Sequence, residues 1–198
     1  MKRLLTELTF IKALVGVNLA SAMEYCASFI TQIVGMLINN GIYFVFWLLF
    51  FDRFGNIRGY DISDIYLLFA VVTLGFGLAF FFAGNANANL AYLIAQGRLD
   101  YYLVFPRPLL PHVIFSRMSI STIGDIAFGF IAFIFTGRFH PVEIFLFLCS
   151  SIIVATILAG FGVIAGSLAF FMGNAQYASQ QMTNALLTFS MYPNVLFS

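Results

Sequence analysis

The sequence is poor in charged residues, and this scarcity excludes several classes of protein. Only 9% of its 198 residues are Asp, Glu, Lys or Arg, and the formal net charge is +1. A nucleic-acid-binding protein needs a concentrated basic surface to displace counterions, so we expect no nucleic-acid partner. A soluble domain is also excluded, because 62% of the residues are hydrophobic and the mean hydropathy is +0.98. We therefore expect the lipid bilayer to cover the apolar surface of the chain.

Motifs for catalysis and for metal or cofactor binding are also missing. Lys2 and Lys12 are the only lysines, and neither stands in a glycine-rich turn, so the sequence has no phosphate loop for ATP hydrolysis. The signatures H-E-x-x-H and G-x-S-x-G are absent as well. His112 and His140 lie in different loops, without further ligands at metal-binding spacing. We expect a chain that is not itself an enzyme and holds neither metal nor cofactor.

What the sequence does contain is a series of long apolar runs. A helix needs roughly 20 mostly apolar residues to cross the bilayer. Four runs meet this requirement, at 27–51, 65–84, 118–136 and 144–172, and a fifth at 179–198 is diluted by polar residues and Pro193. The pattern predicts an all-α, polytopic membrane protein with about five transmembrane helices in a single transmembrane domain, residues 1–198.

The first 26 residues show a different pattern from the runs that follow. Apolar residues recur at helical spacing, and Glu7, Lys12, Asn18 and Glu24 fall between them. This pattern is typical of an amphipathic helix at the membrane surface, which we predict over 1–26. It also fits an extension of the first span.

The basic residues predict the orientation of the chain. Six of the nine fall before the first run or between the second and third runs: Lys2, Arg3, Lys12, Arg98, Arg107 and Arg117. The other three, Arg53, Arg58 and Arg138, belong to the opposite side. The excess of basic residues on cytoplasmic segments predicts a cytoplasmic N-terminus.

Glycines within the runs indicate where helices approach one another closely. Gly75 and Gly77 lie in the second run, and Gly160, Gly162 and Gly166 lie in the fourth. We predict helix packing at these positions, because small residues allow membrane helices to come together.

The segment 85–117, between the second and third runs, is too long for a tight helix hairpin. Gly97 can end the helix that leaves the membrane, Asp100 can cap a short helix over 101–105, and Pro106 can stop it. A short aromatic-rich cytoplasmic helix suits the docking of another protein. The same pattern fits an interfacial helix whose tyrosines lie at the headgroup level.

Asp125 is the one carboxylate well inside an apolar run. It follows Arg117 by eight residues, which is about 12 Å along a helix, so we place it one to two turns below the interface. Carboxylates at such depths face protein or a water-filled cavity, which makes Asp125 a functional candidate. The preferred interpretation is structural, with Asp125 bound to Ser121, Thr122 or a basic residue of another helix.

The segment 97–108, G-R-L-D-Y-Y-L-V-F-P-R-P, resembles the permease subunits of type 2 ABC exporters. A bacterial branch of that family carries the loop G-x-L-D-x-x-L-x-x-P, whose positions are occupied here by Gly97, Leu99, Asp100, Leu103 and Pro106. Phe115-Ser116-Arg117, Gly124-Asp125 and Tyr192-Pro193 extend the resemblance.

This resemblance implies a multi-pass permease of the bacterial inner membrane that pairs with a second, identical or related permease. A separate ABC ATPase subunit would supply the ATP hydrolysis that this chain cannot perform. Segment 85–117 would be the cytoplasmic coupling loop, and six of its residues would contact the ATPase: Asp100, Tyr101, Tyr102, Phe105, Pro106 and Arg107.

One feature departs from the family pattern. Family members usually continue beyond the Tyr-Pro pair with a further spanning helix, so we expect either that this sequence is a shortened fragment or that the C-terminal span is absent. An ion-coupled secondary transporter or channel subunit, with Asp125 as the titrating group, is the alternative function. A membrane scaffold that transports nothing is a third.

Overall fold

The structure is a computed structural model that describes residues 2–55 and 61–192. The described residues form helices without strands. In chain order the helices are α1 Lys2–Glu24, α2 Cys26–Phe54, α3 Ile62–Phe82, α4 Ala88–Ala95, α5 Asp100–Leu103, α6 Leu109–Phe115, α7 Thr122–Phe135, α8 Pro141–Ser167, α9 Ala169–Met172 and α10 Gln176–Ser190. The predicted all-α class is confirmed.

The N-terminal helix is separate from the first long apolar helix. Tyr25 interrupts the helical backbone between α1 and α2, with φ −105° and ψ 65°. Before this junction, α1 contacts α6 as well as α2. The residues predicted as a surface helix therefore form a helix of their own.

Three helices of the described chain are long and apolar enough to cross a membrane: Cys26–Arg53, Ile62–Phe82 and Pro141–Met172, the last comprising α8 and α9. They contain the first, second and fourth apolar runs, which confirms a polytopic membrane protein. Helix α7, within the third run, has 14 residues and is about 21 Å long at 1.5 Å per residue. It therefore does not cover a hydrocarbon layer of about 30 Å by itself.

The fifth apolar run is represented by α10. This helix has 15 residues and begins at Gln176, three residues before the predicted run. Residues 193–198 of the predicted run lie outside the described residues. By length alone α10 is shorter than a full span.

Helix α3 lies at the centre of the bundle. Ten of its residues are buried, and it packs most extensively against α7 and then against α8. Phe44 of α2, Leu74 of α3 and Phe128 of α7 belong to one core cluster. The antiparallel order of α3 and α7 brings Asp64 and Arg138 together at one end of the bundle, where Arg138 Nη2 lies 2.6 Å from Asp64 Oδ1.

Four of the five glycines predicted at helix contacts do lie at close approaches. A Cβ on Gly77 would lie 2.7 Å from a side-chain carbon of Ile126 on α7, and one on Gly75 would lie 2.5 Å from Val154 on α8. Gly162 and Gly166 face the backbone of Ala86 and Asn87. The prediction for Gly160 is wrong, because its missing side chain points to open space.

Candidate functional site

The chain between α3 and α7 forms three short helices at one end of the bundle. The first, α4, ends at Gly97, which has φ +64°. The Gly97 amide donates to the Ile94 carbonyl oxygen, and the Arg98 amide donates to that of Leu93. This pair of bonds is a Schellman motif, which needs a left-handed residue and therefore favours glycine. The prediction that Gly97 ends a helix is confirmed, although that helix is α4 and not a continuation of α3.

The predicted short helix is present as α5, but Asp100 does not cap it. The N-cap residue is Leu99, whose backbone is already helical with φ −63° and ψ −30°, and no side chain caps the helix. Because the turn after Gly97 leads directly into α5, no extended residue precedes the helix to place a capping oxygen. Asp100 is instead the first helical residue, and its side chain is exposed.

One side of α5 and the turn after it is apolar and exposed. The exposed fractions are 67% for Tyr101, 61% for Leu103, 83% for Val104 and 39% for Phe105. We call these four residues the exposed α5 face. Asp100 and Pro106, two other predicted contact residues, are also exposed beside it.

The two remaining predicted contact residues, Tyr102 and Arg107, point inward. The hydroxyl of Tyr102 lies 3.1 Å from Ser116 Oγ. Arg107 Nη1 lies 3.2 Å from Glu7 Oε2 on α1, and its guanidinium carbon lies 3.8 Å from the centre of the Phe10 ring. These contacts attach the α5 and α6 segment to α1.

His112 lies at the centre of this attachment. Its ring meets those of Phe10, Tyr102 and Phe105 edge-to-face, with ring centres 5.2, 5.1 and 5.2 Å away. Burial lowers the pKa of His112, and the nearby Arg107 lowers it further, while Glu7 opposes the change. This role could not be predicted from the sequence, because the aromatic partners come from three separate helices or turns.

Asn85 connects the same segment to the end of α3. Its amide nitrogen donates to the Val113 carbonyl oxygen at 2.9 Å and to Ser116 Oγ at 2.8 Å. Asn85 is buried, so these two bonds satisfy a side chain that would otherwise be costly to bury. A continuous set of contacts thus runs from α5 through Ser116 to the end of the central helix.

Two cavities follow one another in the bundle. The larger, about 760 Å³, has Gln32, Asn89, Arg117 and Gln180 among its lining residues, and we call it the polar cavity. The smaller, about 320 Å³, is lined by parts of α2, α3, α7 and α10 together with Met191 and Tyr192, and we call it the acid cavity because Asp125 lines it. Both cavities share three lining residues, Met36, Phe76 and Asn184.

Asp125 is 2% exposed, and its partner is not one that the sequence analysis considered. Asn40 Nδ2 of α2 donates to Asp125 Oδ1 at 2.6 Å. Neither Ser121, Thr122 nor a basic residue bonds to the carboxylate within the described chain, so that expectation is wrong. The reason is that α7 begins only at Thr122, which places Asp125 in its first turn and directs the carboxylate towards α2.

Two buried oxygens at the acid cavity have no hydrogen-bond partner among the described residues. They are Oδ2 of Asp125 and Oγ1 of Thr73, and both residues line this cavity. Asn40, Thr73 and Asn184 were missed in the sequence analysis. The only available signal was the pair Asn39-Asn40 within an otherwise apolar run.

Comparison with known proteins bears on the whole arrangement. The sequence model of the ABC-2 family transporter proteins matches residues 37–198, which is most of the chain. The matched range includes the exposed α5 face and, except for Met36, every residue that lines the acid cavity. Comparisons with curated proteins and with solved structures gave no match. The chain belongs to the ABC-2 transporter family, whose members are membrane permeases of ABC transporters.

Proposed function

We propose that this permease forms the translocation path of an ATP-driven exporter and is coupled to a separate ATPase subunit at the exposed α5 face. The observation that carries the proposal is the exposure of Tyr101, Leu103 and Val104 on a segment whose other side is firmly attached. Among these residues Tyr101 is the expected anchor, because tyrosine is one of the residue types that contribute most of the energy of protein interfaces. Asp100, Phe105 and Pro106 complete the proposed contact.

The contacts behind α5 support a mechanical role for the segment. Tyr102 contacts Ser116, and Asn85 at the end of α3 donates to the same Ser116. Arg107 links the segment to Glu7 of α1. A displacement of α5 by the ATPase would therefore be passed both to α1 and to the central helix. In this proposal Tyr102 and Arg107 position the coupling segment and do not contact the ATPase.

The two cavities support a path through the permease. They adjoin at Met36, Phe76 and Asn184, and Asn40 at the acid cavity is separated from each end of α2 by fourteen residues. A substrate in the polar cavity can therefore continue to a second site near the middle of a spanning helix. A second permease, identical or related, would complete the path from the other side.

We further propose that the N-terminus is cytoplasmic, in the inner membrane of a bacterium. The distribution of basic residues supports this orientation, and it places the exposed α5 face on the side where ATP is available. The test is labelling of single cysteines in intact cells, on a background from which Cys26 and Cys149 have been removed. A cysteine at position 101 should react with impermeant maleimide only after lysis, whereas one at position 139 should react before it. The reverse result would contradict the orientation.

The coupling proposal predicts that a phosphate-loop ATPase is encoded beside this permease, and the test uses that ATPase. The two chains are expressed together, and co-purification and ATPase rate are measured for Asp100→Ala and Tyr101→Ala. Interface anchors typically cost more than about 1 kcal/mol when truncated, so affinity should fall by roughly tenfold for Tyr101→Ala. Phe139→Ala is the matched control, because Phe139 is an aromatic residue that is 56% exposed at the other end of the bundle.

Membrane insertion and purified yield must be unchanged in all three variants. Equal co-purification of the Tyr101→Ala and Phe139→Ala variants would contradict the docking proposal. Transport in liposomes without ATP, driven by a proton gradient and lost in Asp125→Asn, would instead favour the ion-coupled alternative.

A further inference from the structure

We propose that the acid cavity binds a small organic monocation with an ammonium head group, held between Asp125 and an aromatic wall. This inference names a substrate class for the proposed permease and in that sense rests on the proposed function. The binding site itself is a property of this chain and can be tested without the ATPase.

The first argument is that no positively charged side chain of the described residues accompanies the carboxylate of Asp125 in the acid cavity. Asp125 is the only charged side chain among the described residues that line the acid cavity. Its one hydrogen bond is to Asn40, a neutral amide, and Oδ2 has no partner in the described chain. A buried carboxylate is costly unless a positive charge accompanies it. A cation in the adjoining cavity would supply that charge.

The second argument is the composition of the cavity wall, which indicates an organic cation. Six of the fifteen lining residues are aromatic: Tyr43, Phe46, Trp47, Phe69, Phe76 and Tyr192. Aromatic faces attract ammonium groups through their quadrupole, and cages of such residues recognise quaternary ammonium ligands. The described residues offer no group of three or more acidic, His or Cys side chains that could hold a metal ion. A divalent metal ion, which needs several charged ligands, therefore fits this cavity less well than an alkylated ammonium does.

The third argument is the size and position of the cavity. Its volume of about 320 Å³ falls at the lower end of the range of small-molecule sites. Thr73 and Asn184 add polar groups at the wall, and Oγ1 of Thr73 has no partner within the described residues. The cationic group of a ligand would balance the charge of the Asp125 carboxylate, and a hydroxyl group on the same ligand would give Oγ1 of Thr73 a hydrogen-bond partner. Arg117 lines only the adjoining polar cavity and is itself exposed.

Choline has both groups, and it is the probe for the test. Equilibrium binding is measured with the purified full chain in lipid nanodiscs, without ATPase. The competitor is the uncharged analogue of choline in which carbon replaces the quaternary nitrogen. We expect choline to bind at least roughly tenfold more tightly than this analogue, because only choline gains the charge and cation–π terms. Equal affinities would overturn the inference, as would displacement of choline by equimolar sodium ion.

Variants identify the residues that bind the probe. Asp125→Asn keeps the shape of the side chain and the bond from Asn40, and it should weaken choline binding by roughly tenfold or more. Asp52→Asn, at the end of α2 beyond the acid cavity, is the control for removal of a carboxylate and should bind normally. Unchanged affinity in a folded Asp125→Asn variant would overturn the assignment.

A second pair of variants does not depend on the carboxylate. Tyr43 lines the cavity and is 53% exposed, so its replacement does not open the core. Tyr43→Leu should weaken choline binding about threefold or more, whereas Tyr43→Phe should keep the affinity. Equal affinities of the two variants would refute the aromatic wall. Failure of choline binding with intact ATPase coupling would overturn this inference alone, and the opposite pattern would overturn only the proposed coupling.

Discussion

The close contact between α3 and α7 at Gly77 leads to a prediction with a measurable size. A Cβ at this position would lie 2.7 Å from Ile126 Cγ1 and 2.9 Å from the backbone nitrogen of Ile126. The side-chain atom can rotate away, but the backbone nitrogen moves only with α7. An increase from 2.9 Å to an ordinary contact of 3.4 Å requires α7 to shift by about half an ångström. Because α3 packs more extensively against α7 than against any other helix, this shift affects the largest contact of the bundle.

The expected cost of Gly77→Ala follows from two opposing effects. Overpacking a well-packed site lowers the unfolding free energy by about 1–3 kcal/mol. Replacing a helical glycine by alanine raises it by up to about 1 kcal/mol, because alanine has the higher helix propensity. We expect a net loss of about 1–2 kcal/mol in the free energy of unfolding. Gly160→Ala is the matched control, because Gly160 also lies inside a long apolar helix and has nothing within 4 Å of its missing side chain. It should be neutral or stabilising by up to about 1 kcal/mol.

The assay is reversible unfolding in mixed detergent micelles, followed by tryptophan fluorescence. Trp47 is the only tryptophan in the sequence, and it is 4% exposed in a cluster with Phe51, Ile65 and Phe69. Its emission therefore reports the packing of α2 on α3. Equal unfolding free energies for Gly77→Ala and Gly160→Ala would refute the close approach of α3 and α7, and so would a larger loss at Gly160.

Three further predictions concern the ends of the bundle. The pKa of His112 is lowered by burial, so the folded protein favours the neutral ring and the attachment of α1 to α6 should weaken as pH falls below 6.5. The protection factors of α1 amides, which are corrected for the pH dependence of intrinsic hydrogen exchange, should fall with acid in the wild type but not in His112→Gln. Arg107→Glu should detach α1 from α6 and lower the protease resistance of α1, because the new carboxylate repels Glu7. The double exchange with Glu7→Arg should restore part of this protease resistance. No rescue would count against the 3.2 Å ion pair. Asp64→Asn should lower the unfolding free energy by about 1 kcal/mol or less, because Asp64 and its partner Arg138 are both about one-third exposed. A larger loss of unfolding free energy that persists in high salt would contradict this exposure.

The sequence predicted the long helices well because hydrophobic length is a local property. The runs at 27–51, 65–84 and 144–172 each correspond to a helix long enough to span. The run at 118–136 was misleading, because Met118 to Ser121 are apolar enough to extend it but form a turn against the end of α3. The amide of Ser119 donates to the Phe80 carbonyl oxygen at 3.2 Å, and a Cβ on Gly84 would lie 2.6 Å from the Arg117 carbonyl oxygen. These are tertiary contacts, which a hydropathy pattern does not contain.

The glycine at the end of α4 could also be recognised from the sequence. The inward orientation of Tyr102 and Arg107 could not. Gly97 ends α4 with a left-handed backbone, as its position before a polar turn predicted. Tyr102 and Arg107 looked equivalent to Tyr101 and Phe105, because a helix of four residues is too short to show an amphipathic period. Their orientation depends on tertiary contacts. Tyr102 contacts His112 and Ser116, while Arg107 contacts Glu7 of α1, about one hundred residues away in sequence.

The role of a single polar residue within an apolar run, such as Asp125, cannot be predicted from the sequence pattern alone. Its depth was predicted from the distance to Arg117, but its partner depends on how α2 and α7 are rotated against each other. Gly124 sets that rotation, since a Cβ there would lie 2.6 Å from the Ile33 carbonyl oxygen of α2. The close approach brings Asn40 to the carboxylate at 2.6 Å.

A purely structural role for Asp125 would be expected to pair both of its oxygens, because buried polar atoms are costly when unsatisfied. Here Oδ1 is bound by Asn40, while Oδ2 and the nearby Oγ1 of Thr73 have no partner among the described residues. If the site served packing alone, Asp125→Leu together with Asn40→Leu would remove the unsatisfied Oδ2 without leaving the Asn40 amide unpaired, and would be neutral or stabilising. If the site binds a cation, the same replacements would abolish binding whatever they did to stability. The two unpaired oxygens at one cavity therefore favour the functional role over the structural one that the sequence suggested.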